Sequence, residues 1–162
     1  MPASESDLFT RFERLGIKTG TTRHEAVFTV EDAKRLRGEL PGGHCKCLFL
    51  KDKKGALWLV VMLEDTALDM KALQAKLGAA RLSFGKPELM ADVLGVEPGS
   101  VTPFSVINAS AGDVQVVLDS AMMAAAPLNY HPLTNRATTA IGSDDLLRFL
   151  SDCGHQPLVM AL

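Results

Sequence analysis

No apolar run in this chain is long enough to cross a bilayer. The longest strongly apolar stretch, Leu57 to Leu63, has the length of a strand, whereas a spanning helix needs about 20 such residues. The opening MPASESDLF also lacks the basic region and apolar core of an export signal. A cytoplasmic address with no membrane partner is therefore the expectation. Cysteine is scarce and its number odd, three in all, which argues for reduced thiols over a disulfide framework. Positive charge is not in excess: 17 Lys and Arg stand against 19 Asp and Glu, for a formal net charge of -2. No global field attracts DNA, and any nucleic-acid contact must come from a local patch. Phosphate loops of the GxxxxGK[ST] type, the GxGxxG fingerprint, a GxSxG nucleophile elbow, internal repeats and low-complexity segments are all missing.

What is present is an ordinary globular composition, 47% apolar and 22% charged over 162 residues. A single domain over 1–162 follows, with enough chain to bury a core. Leu8, Phe12 and Leu15 recur at helical spacing behind serine cap candidates and before Gly16, which predicts a first helix over 4–16. An extended segment over 18–28 precedes a helix over 29–38, where Thr29 is the N-cap and Asp32 completes a variant capping box. Two apolar stretches, 45–52 and 56–63, flank the turn KDKKG and read as a β-hairpin. Helices over 69–78 and 86–95 then enclose a short strand at 81–84. The segment 96–108, with two prolines and a glycine, reads as a shaped loop leading into a strand. Strands over 113–119, 128–135 and 137–141, a helix over 143–154 and a closing strand over 156–162 complete the order. Hairpins mixed with helices, without a regular βαβ repeat, give an α+β fold with a mixed, largely antiparallel sheet.

Chemistry first suggests itself at 42-GGHCKC-47. His44, Cys45 and Cys47, joined by Cys153 and His155, have the ligand chemistry of a zinc site. The spacing opposes it, because cysteines one residue apart at the start of a strand do not form the tight turn of a zinc knuckle. Period-two alternation puts Cys45, Cys47 and Phe49 on one face and His44, Lys46, Leu48 and Leu50 on the other. The cysteines then read as core packing with no metal. Lys46 is left either to snorkel at a strand end or to enter a cleft.

His131 precedes Pro132 and is therefore biased toward extended backbone. With Asp119 and one of Ser105, Ser110 or Ser120 it could be imagined as a hydrolase triad, but no serine sits in a strained elbow. The loop 98-PGSVTPF-104 offers backbone N–H groups that a small-residue segment lets approach a ligand.

Lys46 in KCLFLKDKKG, the segment LGVEPGSVTPF followed by Asn108, Asp119 closing VVLD, and YHPLTN occur in the order of one known family. The chain resembles the YbaK/prolyl-tRNA synthetase-associated editing domains, most closely the freestanding branch that hydrolyses alanyl-tRNA(Pro). The resemblance implies an α+β domain that binds the 3′ end of an aminoacyl-tRNA and cleaves the ester with no cofactor, metal or protein nucleophile, assisted by a ribose hydroxyl. It implies that Lys46 and His131 are the catalytic residues. Phe28, Thr29, Gly99, Ser100, Thr102, Pro103, Asn108, Asp119 and Tyr130 are then the substrate-binding set, with bulky Phe28 and Tyr130 as candidate pocket walls. Lys46, Lys51 and Arg81 would contact tRNA, with Lys53 and Lys54 beside them on the hairpin turn. tRNA(Pro) carrying the wrong amino acid is the expected partner, and prolyl-tRNA synthetase or an elongation factor could share that substrate. Two alternatives remain at this point: a deacylase for cysteinyl- or seryl-tRNA, and a non-catalytic module that binds tRNA or the synthetase.

Overall fold

The computed structural model describes residues 2–25, 31, 35 and 40–162. Helix α1 (Glu5–Leu15) begins at Ser4, whose hydroxyl accepts from the Asp7 N–H while the Asp7 carboxylate accepts from the Ser4 N–H, and it stops at Gly16. Its Leu8 and Phe12 are buried. Strand β1 (Gly20–Arg23) follows. Of the helix expected over 29–38, only Glu31 and Arg35 are described, both helical; Phe28 and Thr29 lie outside the described residues.

The hairpin is formed by β2 (Gly43–Asp52) and β3 (Leu57–Leu63), in continuous antiparallel register from Cys45↔Leu63 to Lys51↔Leu57. Next come α2 (Met70–Leu77), β4 (Leu82–Phe84) and α3 (Pro87–Leu94). The segment expected as a loop over 96–108 contains a turn and then a 3₁₀ helix, Pro103–Asn108, because Thr102 caps the Phe104 N–H and Pro103 fixes the first φ. Strand β5 (Gln115–Asp119) leads into a short helix α4 (Ser120–Met123) that local pattern did not predict. Strands β6 (Leu128–Tyr130) and β7 (Ala137–Ile141), helix α5 (Ser143–Asp152) and strand β8 (Leu158–Met160) finish the chain.

The sheet has eight strands in the order β1-β7-β6-β2-β3-β5-β8, with β4 also paired to β2. Pairs β1/β7, β7/β6, β2/β3 and β2/β4 are antiparallel, while β6/β2, β3/β5 and β5/β8 are parallel. A larger core covers one face, where Phe49, Leu59, Val61, Val116 and Leu118 meet α1, α3, the 3₁₀ helix and α5. Phe104 stands edge-on to Phe12, Tyr130 and Phe149 at its centre. On the opposite face, Leu50, Val60, Met62 and Val117 meet Leu73 of α2 and the segment ending at Leu162. Strand β2 therefore divides two cores, as its alternation requires.

Candidate active site

The approach of β6 to β2 is made possible by the glycine pair. Gly42 has φ +101°, and a Cβ there would lie 2.4 Å from the Pro127 carbonyl oxygen, so a side chain is excluded. The Gly43 N–H donates to that same oxygen at 2.8 Å, and the Asn129 amide donates to the carbonyls of Pro41 and Gly43. These bonds fix the parallel register Gly43↔Leu128 and His44↔Asn129. Alternation beyond these pairs puts Tyr130 on the face of Cys45 and His131 on the face of Lys46. The electrostatic influence of Cys45 and Tyr130 on each other agrees with that placement.

This register separates two faces with opposite chemistry. Cys45, Tyr130 and Leu128 turn toward the larger core. His44, Lys46, Asn129 and His131 turn the other way, together with Thr138 of β7 and His24 just beyond β1. The His24 N–H donates to the Arg136 carbonyl and so prolongs the β1/β7 ladder by one step. One end of the sheet thus presents a polar surface built from four strands.

On this surface the Lys46 ammonium donates to the Thr66 carbonyl at 2.7 Å, leaving two of its three donors for a ligand. The His131 ring lies with Nδ1 3.0 Å from the Ala137 carbonyl; since a carbonyl only accepts, Nδ1 carries the hydrogen and Nε2 is the acceptor. Burial lowers the His131 pKa below 6.5, the Ala137 hydrogen bond opposes that shift, and the His24 ring adds to it. The imidazole is neutral at neutral pH. The His24 ring centroid lies 6.4 Å from that of His131, with Nε2 bonded to the Thr138 hydroxyl and Nδ1 donating to Glu25 O. His24 was not singled out from sequence, because only the β1/β7 register reveals its neighbour.

The glycine loop lies against the same segment. Ser100 N–H donates to the Glu97 carbonyl, closing a four-residue turn with Pro98 and Gly99 at its centre. Gly99 has φ +90°, the conformation that a type II turn demands after proline, and a Cβ placed there would come 3.8 Å from the Asn135 amide nitrogen. Ser100, Thr102 and Pro103 behind it are buried. Glu97, Pro98 and Gly99 form the exposed crown of the turn.

Other expected site residues have their polar atoms engaged by the fold. Asn108 accepts from the Ala3 N–H and donates to the Leu94 carbonyl, joining the amino-terminal segment to the end of α3. Asp119 is 3% exposed and accepts from the Leu162 N–H. Tyr130, expected as a pocket wall, faces the larger core, with its hydroxyl on the Met122 sulfur and its ring against Phe104. Burial raises its phenol pKa well above 10.0. The imagined triad is not assembled: Ser105 donates to the Thr102 carbonyl, while Asp119 and His131 each bond backbone elsewhere.

Among the described residues no group of three or more His, Cys, Asp or Glu side chains is arranged to hold a metal. Cys45 and Cys47 pack against the larger core, and burial pushes their thiols up, Cys45 to about 12 and Cys47 well above 9.0. Cys153 accepts from Arg11 and His155 bonds the Ala109 carbonyl. Lys51 and Arg81 are exposed on the far half of the hairpin, where the Lys53 N–H donates to the Arg81 carbonyl.

A family model described as an aminoacyl-tRNA editing domain matches residues 24–149. The chain belongs to the aminoacyl-tRNA editing domain family. The match takes in Lys46, Gly99, Pro103 and His131 of this editing domain. A Bos taurus protein named prolyl-tRNA synthetase associated domain-containing protein 1 is 37% identical over 155 residues, covering 93% of this chain and 90% of the relative. The prolyl-tRNA editing protein ProX of Acetoanaerobium sticklandii is 31% identical over 149 residues, covering 91% of each. Two solved structures share the editing-domain fold. One, of a hypothetical protein, superposes with a TM-score of 0.76 at 15% identity, covering 98% of each chain. The other, described as a candidate trans-editing enzyme for prolyl tRNA synthetase, gives 0.69 at 20% identity with the same coverage. Among the described residues no helix is long and apolar enough to cross a membrane.

Proposed function

We propose that this editing domain is a trans-acting deacylase that hydrolyses alanyl-tRNA(Pro). The observation that carries the reading is the polar face shared by Lys46 and His131, with the Gly99 turn against the segment that follows His131. An aminoacyl ester is already activated, so attack by water needs orientation and a receptacle for the developing oxyanion more than it needs a protein nucleophile. Lys46 holds the terminal phosphate or ribose as a compact cation through its two remaining donors. The Gly99 N–H faces the carbonyl oxygen as its charge grows. The neutral His131 offers Nε2 as acceptor to the water or to the free ribose hydroxyl. The ester C–O bond breaks, the departing ribose oxygen takes up a proton, and alanine and tRNA leave.

Alanine needs such a step because a pocket made for proline cannot exclude a smaller side chain. Each missing methylene is worth only about 1 to 3 kcal/mol, which is too little for faithful charging. Prolyl-tRNA synthetase and elongation factor would meet the same aminoacyl-tRNA and compete for it.

Hydrolysis of alanyl-, cysteinyl-, seryl- and prolyl-tRNA by the wild-type chain and by Lys46→Ala tests the reading. The expected result is preferential clearance of alanyl-tRNA(Pro), with the rate reduced about a hundredfold in Lys46→Ala, the order of magnitude for loss of one charge-stabilising donor. Clearance of cysteinyl- or seryl-tRNA instead would reassign the substrate. Binding without cleavage of any ester would make the chain a tRNA-binding module.

A further inference from the structure

Phe84, at the end of β4, is 65% exposed, the largest exposure of any large apolar side chain among the described residues. Its strand partner is Leu50, so the two side chains share a face. That is the face of Lys46 and His131, because β2 keeps unbroken alternation from Lys46 to Leu50. Leu50 and Leu82 on this face join the smaller core, whereas Phe84 projects beyond it.

Strands β6 and β4 lie on the same flank of β2, β6 beside its first residues and β4 beside its last. Four residues separate the levels of Lys46 and Leu50, roughly 13 Å along the strand at about 3.3 Å per residue. Phe84 is therefore beyond reach of a base held at Lys46, and since Leu48 and Leu50 are covered by the smaller core, an RNA strand joining the two levels would follow the flank of β2 between β6 and β4.

The turns at the two ends of β4 are basic, although Lys51, paired with Ser83, is out of phase with Leu50 and Phe84 and stands on the opposite face. Segments 51–56 and 79–86 contain Lys51, Lys53, Lys54, Arg81 and Lys86 against a single acid, Asp52. The Asp52 carboxylate is turned inward, accepting from the N–H groups of Lys54, Ala56 and Ala80. Lys51, Lys53, Arg81 and Lys86 form no ion pair among the described residues. An exposed aromatic ring on a strand with Lys53 beside its start and Lys86 just past its end pairs a base-stacking surface with phosphate-binding cations, the combination that holds single-stranded nucleic acid.

We propose that Phe84 is a stacking platform for an unpaired base of the tRNA 3′ end, upstream of the aminoacylated adenosine. The proposal rests on the deacylase reading for the direction of the strand, with the terminal adenosine at Lys46. Stacking there fixes the angle at which the ester enters the site and favours substrates with a single-stranded tail.

The test measures binding of two fluorescein-labelled acceptor-stem minihelices, one with the single-stranded 3′ tail and one blunt. Phe84→Ala should weaken binding of the tailed minihelix about tenfold, within the range seen for loss of one base-aromatic stack, and Phe84→Trp should restore it. The blunt minihelix should be bound equally by all three proteins. Equal affinity of wild type and Phe84→Ala for the tailed form, an equal loss on both forms, or no binding of either form by wild type would overturn the proposal. The binding readout needs no hydrolysis, so an inactive but tail-selective protein would defeat the deacylase reading alone.

Discussion

His131 connects the chemistry of the site to the stability of the fold. Its folded pKa is lowered, chiefly by burial, so between that value and the ordinary 6.5 the unfolded chain binds more protons than the folded one. The stability it contributes is complete above about pH 6.5 and is lost as pH falls through the folded value. Urea unfolding should accordingly show a decline from pH 8 to pH 5 that is smaller in His131→Asn. An unchanged decline in that variant would show that another group carries it. The partition of 42-GGHCKC-47 into two faces was legible in the sequence, because each face of β2 meets its own core and a one-residue slip would invert both. That Lys46 and His131 share a face was not legible from spacing, since they lie 85 positions apart and are brought together by the pairing around Gly42 and Asn129. Nor was the inward turn of Tyr130, which follows from the same register.

At the scale of elements, the hairpin β2/β3 is secured at its tip by one side chain. Asp52 is buried; burial pushes its carboxyl up, but the N–H groups of Ala56, Ala80 and Lys54 outweigh that and leave its pKa lowered. One bond of this set reaches from the turn to the residues before β4, so the clamp sets the distance between Lys51 and Arg81. Asp52→Ala should accelerate amide hydrogen exchange at Lys54, Ala56 and Ala80 while leaving Val60 and Leu118 protected. Uniform acceleration would mean that Asp52 supports the whole sheet. The turn itself was readable from KDKKG, and the helices from their caps and glycine stops. The 3₁₀ helix at Pro103–Asn108 was not, because two prolines and a glycine signal irregular backbone without specifying the cap that Thr102 supplies. Short α4 carried too few residues to show a period.

Over the whole molecule, net charge supplies no field that draws RNA, and the basic residues of this slightly acidic chain gather at the hairpin end. With Lys46, Lys51 and Arg81 as phosphate contacts, the logarithm of the tRNA association constant should fall against that of salt with a slope of roughly -2 to -3. Lys51→Ala and Arg81→Ala should each reduce the slope by about 1, and a slope near zero would remove the phosphate contacts from the account. The α+β architecture with a mixed sheet was visible in the irregular alternation of elements, whereas the strand order, which brings β6 and β4 to one flank of β2, depends on pairings distant in sequence. The division of β2 into two faces has a last consequence for working conditions. Reactivity toward peroxide requires thiolate, and a Cys45 thiol at about 12 with Cys47 well above its usual value holds almost none at neutral pH. The strand that carries Lys46 thus keeps its sulfur chemistry silent behind the candidate site, and the proposed deacylation should persist after peroxide treatment that disables thiol-dependent enzymes.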